Sequence, residues 1–194
     1  MAEDNKPITL FAFGDSLTAG YGVAPGDAFP VKLEAALKAA GRNVHVVNAG
    51  VSGDTTADGL SRLEWSLPPD ARAAIVEFGA NDAFRGVPVK IMRGNLERIV
   101  AALTARGLAV LIAGMRVSHN YGPQYTAEFN AAFGDIATEY GADLYPFFLD
   151  GVVLDATLNQ ADGIHPNAKG VDVIVSRITP SVTALIDRVA TNGK

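Results

Sequence analysis

Three side chains in this sequence are well suited to covalent chemistry: Ser16, Asp162 and His165. Ser16 lies in Phe13-Gly14-Asp15-Ser16-Leu17-Thr18, directly after the apolar run Ile8 to Phe13, which reads as a buried strand. A serine on the loop leaving a strand can be presented as a nucleophile when a base, an orienting acid and oxyanion donors are supplied elsewhere. The segment Asp162-Gly163-Ile164-His165-Pro166 supplies the first two. A carboxylate three residues before a histidine can accept from one imidazole nitrogen, fixing the tautomer and freeing the other nitrogen as general base. Pro166 suits the first position of a final helix. A competing reading has Asp162 and His165 doing no more than shaping that helix start.

Oxyanion donors must come from other loops. The stretches Asn48-Ala49-Gly50-Val51-Ser52-Gly53-Asp54-Thr55 and Phe78-Gly79-Ala80-Asn81-Asp82 each close an apolar run. The backbone N–H of Gly53, approachable because glycine has no Cβ, and the Asn81 amide are suitable donors. Taken singly, Ser16 reads equally as a helix cap, Gly53 as a turn glycine and Asn81 as an N-cap. Their joint appearance at the ends of successive strands favours the chemical reading. Ser52 is a rival nucleophile, but G-x-S-x-G fails there because residue 54 is aspartate. His45 sits in a strand pattern without an acid partner in sequence. His119 follows the fourth apolar run and reads as a substrate contact, not as the base.

These loops need a regular frame. Ile8 to Phe13, Val44 to Asn48, Ala73 to Phe78, Leu108 to Ala113 and Asp143 to Phe147 read as strands. Helical stripes lie between and after them. Leu33, Ala36, Leu37 and Ala40 form one; Met92, Leu96, Ile99, Val100 and Leu103 another; Tyr125, Phe129, Ala132, Phe133, Ile136 and Tyr140 a third. A shorter helix is expected within 54–65, with Leu60 and Leu63 inward. The tail shows Val171, Ile174, Val175 and Ile178, then Val182, Leu185, Ile186 and Val189, with Pro180 expected to break or kink the helix between. Such alternation predicts a parallel sheet covered on both faces, with its ligand site along the edge where the strands end.

The chain has 194 residues, 48% of them hydrophobic and 19% charged, which predicts one domain over 1–194 with an ordered core over about 7–190. A net charge of -5 without blocks of like charge argues against nucleic acid or an anionic membrane as partner. There is no cysteine, so disulfides and thiolate catalysis are excluded. With three histidines and no H-E-x-x-H pattern, neither a metal nor another cofactor is expected. No apolar stretch approaches the roughly 20 residues of a membrane span. The start, Met1-Ala2-Glu3-Asp4-Asn5-Lys6, lacks an apolar signal core, although a secreted protein behind an added methionine reads the same.

Together the four blocks resemble those of the SGNH hydrolases, or GDSL esterases, in particular the bacterial thioesterase I, arylesterase and lysophospholipase branch. They are Gly14-Asp15-Ser16-Leu17, Asn48 to Thr55, Gly79-Ala80-Asn81-Asp82 and Asp162 to Pro166. The resemblance implies a three-layer α/β/α sandwich with a five-stranded parallel sheet, of flavodoxin-like type. It implies Ser16 as nucleophile, Asp162 and His165 as the rest of a triad, and an oxyanion hole from the N–H groups of Ser16 and Gly53 with the Asn81 amide. It also implies a small-molecule ester substrate and favours a periplasmic or secreted location. The segment Arg116 to Gly122 corresponds to a variable part of the family's acyl-binding side. Ser118 and His119 there favour short-chain or aryl esters over long acyl chains, while Phe84, Val87 and Tyr121 are expected to wall an apolar slot. Two alternatives are a carbohydrate O-acetyl esterase or acyltransferase on the same fold, and a non-catalytic flavodoxin-like ligand-binding module.

Overall fold

The computed structural model describes residues 6–191. Five strands form one parallel sheet: β1 (Ile8–Gly14), β2 (Val44–Gly50), β3 (Ala71–Glu77), β4 (Ala109–Ala113) and β5 (Asp143–Tyr145), in the order β2-β1-β3-β4-β5. This flavodoxin-like order places the switch point between β1 and β3, where successive connections leave toward opposite faces and open a crevice at the carboxyl edge. All seven residues of β1 are buried. A strand hydrogen-bonded on both edges and covered on both faces has no solvent side, which is why its sequence is almost continuously apolar.

Among the described residues seven α-helices complete the layers: α1 (Ser16–Ala19), α2 (Phe29–Ala39), α3 (Thr56–Ser66), α4 (Ala80–Phe84), α5 (Val89–Ala105), α6 (Pro123–Tyr140) and α7 (Ala168–Thr191). Helix α2 packs on α7, while α3, α5 and α6 pack side by side as a second row. Right-handed crossovers put these two groups on opposite faces of the sheet. The stripe Met92, Leu96, Ile99, Val100 and Leu103 is buried in full, as are Phe129, Ala132, Phe133 and Ile136 on α6 and all eight apolar positions expected on α7.

Local chemistry moved three boundaries. Strand β5 stops at Tyr145 and does not reach Phe147, because Pro146 has no N–H to give the ladder. The chain turns around Gly114 instead, whose N–H donates to Tyr145 O and whose C=O accepts from Phe148 N, both at 2.8 Å. Pro180 does not break the last helix, since α7 runs through it. Pro180 and Ser176 both lie on the exposed side, so the Ser176 carbonyl that loses its helical partner faces water. Pro166 does not open α7 either. It pairs with Asn159 in an isolated bridge, and Asn167 caps the helix through Oδ1, which accepts from Lys169 N at 3.0 Å and Gly170 N at 3.1 Å.

At the carboxyl edge Gly14 pairs with Gly50 on one side and Glu77 on the other. The loops that follow these three residues therefore start within two strand spacings of one another.

Candidate active site

Ser16 is the first residue of α1, a single turn whose N-cap is Asp15. The Asp15 carboxylate accepts from Leu17 N at 2.9 Å, which fixes the turn and leaves the Ser16 N–H with no acceptor inside the helix. Ser16 itself is 8% exposed. Its Oγ lies 3.0 Å from His165 Nε2, and His165 Nδ1 lies 2.6 Å from Asp162 Oδ2. The structure thus brings together the three side chains expected from the sequence as one hydrogen-bonded relay.

The Asp162 loop is built to hold a charge. Oδ1 accepts from the backbone N–H groups of Ile164 at 2.9 Å and His165 at 3.0 Å. These bonds, led by the His165 N–H and then the His165 ring, hold the Asp162 carboxyl down at about 2, from an ordinary 3.8. An acid so placed stays ionised and fixes the imidazole with its proton on Nδ1, which leaves Nε2 able to accept from Ser16. The Tyr21 ring packs beside the imidazole with centroids 4.6 Å apart.

Gly53 and Asn81 reach the same edge. Gly53 adopts φ 88°, and a Cβ there would approach nothing closer than Arg85 Nη2 at 3.8 Å. Its requirement for glycine is therefore conformational, whereas the sequence suggested one of space. Its carbonyl accepts from Arg85 Nη2 at 2.6 Å. Asn81, in the first turn of α4, donates through Nδ2 to Asp15 Oδ2 at 2.9 Å and to the Asp54 carbonyl at 3.0 Å. Both amide hydrogens are thus engaged, so an anion arriving at Asn81 must displace one of these two acceptors.

A cavity of about 340 Å³ opens between Ala80 on the α4 side and Gly163 with Ile164 on the Asp162 loop. Phe84, Met115, Tyr121, Phe129, Phe147 and Leu149 make its walls largely apolar, and Ser118 adds a polar edge. Phe84, Ser118 and Tyr121, which the sequence suggests as substrate contacts, are among its lining residues. Val87 and His119 are not among the lining residues. The Val87 backbone is tied into the α4 turn by its N–H to Asp82 O at 2.9 Å and by Tyr125 Oη to its carbonyl at 3.0 Å. His119 is exposed at the start of a 3-10 turn, His119–Tyr121.

Two residues that support the site were not singled out from the sequence. Arg62, on α3, is buried under the loops, with Nε on Asp54 Oδ2 at 2.6 Å and its two terminal nitrogens each 2.9 Å from the carbonyls of Ala49 and Gly14. Its guanidinium lies over the Phe13 ring, 4.5 Å from the centroid. Its place beside Leu63, one turn after Gly59 on the buried face of α3, was the available signal. Thr56 is the second: its N–H and hydroxyl donate to the two carboxylate oxygens of Asp82, at 2.8 and 2.6 Å, tying α3 to α4. Among the described residues no cluster of acids and histidines suits a metal ion, and no helix is long and apolar enough to cross a membrane.

A parallel sheet with a Ser–His–Asp relay at its carboxyl edge, on a serine preceded by Gly14-Asp15 and lacking the G-x-S-x-G elbow, defines the SGNH class of hydrolases. The chain belongs to the GDSL-like lipase/acylhydrolase family, whose model matches residues 12–173. It is 35% identical over 179 residues to the esterase TesA of Pseudomonas aeruginosa, covering 92% of this chain and 89% of that one. It is 37% identical over 160 residues to an arylesterase of Vibrio mimicus, covering 81% and 79% respectively. Among solved structures, the SGNH-hydrolase family esterase AlinE4 superposes with a TM-score of 0.78 at 43% identity, covering 92% of this chain and 96% of that chain.

Proposed function

We propose that the protein hydrolyses carboxylic esters of small molecules by two-step acyl transfer on Ser16. The observation that carries the reading is the continuous relay Ser16–His165–Asp162, at 3.0 and 2.6 Å. Ser16 Oγ attacks the carbonyl carbon while its proton passes to His165 Nε2, and the ionised Asp162 stabilises the imidazolium. The carbonyl oxygen, now an anion, accepts from the N–H groups of Ser16 and Gly53 and from the Asn81 amide. For this last bond the hydrogen that Asn81 shares with the Asp54 carbonyl swings to the oxyanion, while Asp15 keeps the other. The alcohol or thiol leaves with the proton from His165. Water, deprotonated by the same nitrogen, then attacks the acyl-enzyme and releases the acid.

The acyl group enters the cavity walled by Phe84, Tyr121 and Phe129, and Ser118 at its edge favours short-chain or aryl esters. The arylesterase and esterase names of the relatives support the same substrate class. A panel of p-nitrophenyl esters of increasing chain length, with one acyl-CoA and one lysophospholipid, tests it. Turnover that falls steeply with chain length, and that is abolished in a folded Ser16→Ala variant, is the expected result. Retention of most activity by Ser16→Ala would remove Ser16 from the chemistry.

A further inference from the structure

Beneath the relay lies a carboxyl that the mechanism above does not use. Glu77, the last residue of β3, is wholly buried. Its Oε2 accepts from the Thr18 hydroxyl at 2.7 Å and lies 3.4 Å from Asp15 N, while Oε1 receives no donor among the described residues. The space is tight, since a Cβ on Gly14 would sit 2.2 Å from Thr18 Oγ1 and 2.6 Å from Glu77 Oε2. The neighbouring Asp15 is also fully buried, and its two oxygens serve Leu17 N and Asn81 Nδ2, both at 2.9 Å. Thr18, Glu77, Asp15 and Asn81 therefore form one chain of contacts from the sheet to the oxyanion site.

Two fully buried carboxyls on neighbouring residues of a dry site cannot both ionise cheaply, so they share one proton. The donors around each decide who holds it. Asp15 has the Leu17 N–H and the Asn81 amide, both of which favour its anion, whereas an ionised Glu77 would leave Oε1 charged and unmet. Burial first, and then the Asp15 charge, push the Glu77 carboxyl well above the usual range. Burial also raises Asp15, but only to about 6.

We propose that Glu77 is a positioning residue for acyl transfer: as the neutral acid it donates to the Asp15 carboxylate and fixes the one acceptor that orients both the Ser16 turn and the Asn81 amide. Without that donor Asp15 is free to rotate or to take a proton. Asn81 then loses the acceptor that holds its second hydrogen ready for the oxyanion. The effect falls on the transition state, because ground-state ester binding uses the cavity and not Asn81.

The proposal rests on the esterase reading, whose own failure would show in an active Ser16→Ala protein. Its test compares Glu77→Gln, which can still donate to Asp15, with Glu77→Leu, which cannot, in folded protein quantified by circular dichroism. Glu77→Gln should keep kcat within about threefold, whereas Glu77→Leu should lower it roughly ten- to a hundredfold with KM little changed. Wild type should also show, at neutral pH, an infrared C=O band of a protonated carboxylic acid that is missing in Glu77→Gln. Wild-type kcat in Glu77→Leu, a kcat loss in Glu77→Gln as deep as in Glu77→Leu, or the absence of that band would overturn the proposal. Should Glu77→Leu not fold, Glu77→Gln and the band decide: a large kcat loss in Glu77→Gln, or no band, overturns it.

Discussion

Asp162 holds His165 at two atoms at once, its Oδ1 on the backbone N–H at 3.0 Å and its Oδ2 on the ring Nδ1 at 2.6 Å. The backbone bond fixes where the carboxylate sits relative to the His165 main chain, and the ring bond then fixes where the imidazole points. One acid three residues upstream thus does the orienting work on a partly exposed loop, where burial contributes little.

Replacing Asp162 with asparagine should keep the loop but favour the wrong tautomer. We expect kcat to fall by about 10⁴-fold with a small change in KM, measured on the best p-nitrophenyl ester. The substitution also tests the charge. The Asp162 carboxyl is held at about 2 against an ordinary 3.8, so its stabilisation is present above the ordinary value and lost as pH falls through the folded one. Urea midpoints taken between about pH 5 and about pH 2 should therefore fall less steeply in Asp162→Asn than in the wild type.

Asn81→Ala removes the side-chain donor of the oxyanion site. The expected cost is about 2.7–4 kcal/mol in the barrier, read as a kcat loss at nearly constant KM. A rise in KM at unchanged kcat would make Asn81 a ground-state contact, and the swing away from the Asp54 carbonyl would then have no part in catalysis.

Arg62→Leu should act on stability. It leaves the Asp54 carboxylate without its buried partner and strips the carbonyls of Gly14 and Ala49 of a donor. Removing one member of a buried pair costs about 3–5 kcal/mol, which a shift of the urea midpoint at unchanged slope would report. A shift of under about 0.5 kcal/mol would mean that Asp54 finds water instead, as surface substitutions do.

Much of this arrangement is legible in the sequence because the constraints are local. The run Ile8 to Phe13 is apolar almost throughout, the stripe from Met92 to Leu103 carries its helical period openly, and Asp162 and His165 are close enough in sequence to bond through one short loop. What stays hidden depends on partners distant in the chain. Glu77 reads as the polar end of a strand until Thr18 and Asp15 are seen against it, 59 and 62 residues away. Arg62 meets Gly14 across 48 residues, so its place beside Leu63 hints at burial without showing what it is buried against. Pro180 misleads for a related reason: its cost depends on which side of the helix faces water, and that is fixed by packing.

The contact between Ser16 and His165 joins positions 149 apart. Ser16 is synthesised long before His165, so a partial product that stops between the two carries the proposed nucleophile without its base. All five strands precede the Asp162 loop in the chain, so the whole sheet is synthesised before the base that the proposed chemistry needs. A ribosome-bound chain stopped before His165 therefore cannot turn over an ester by the proposed route.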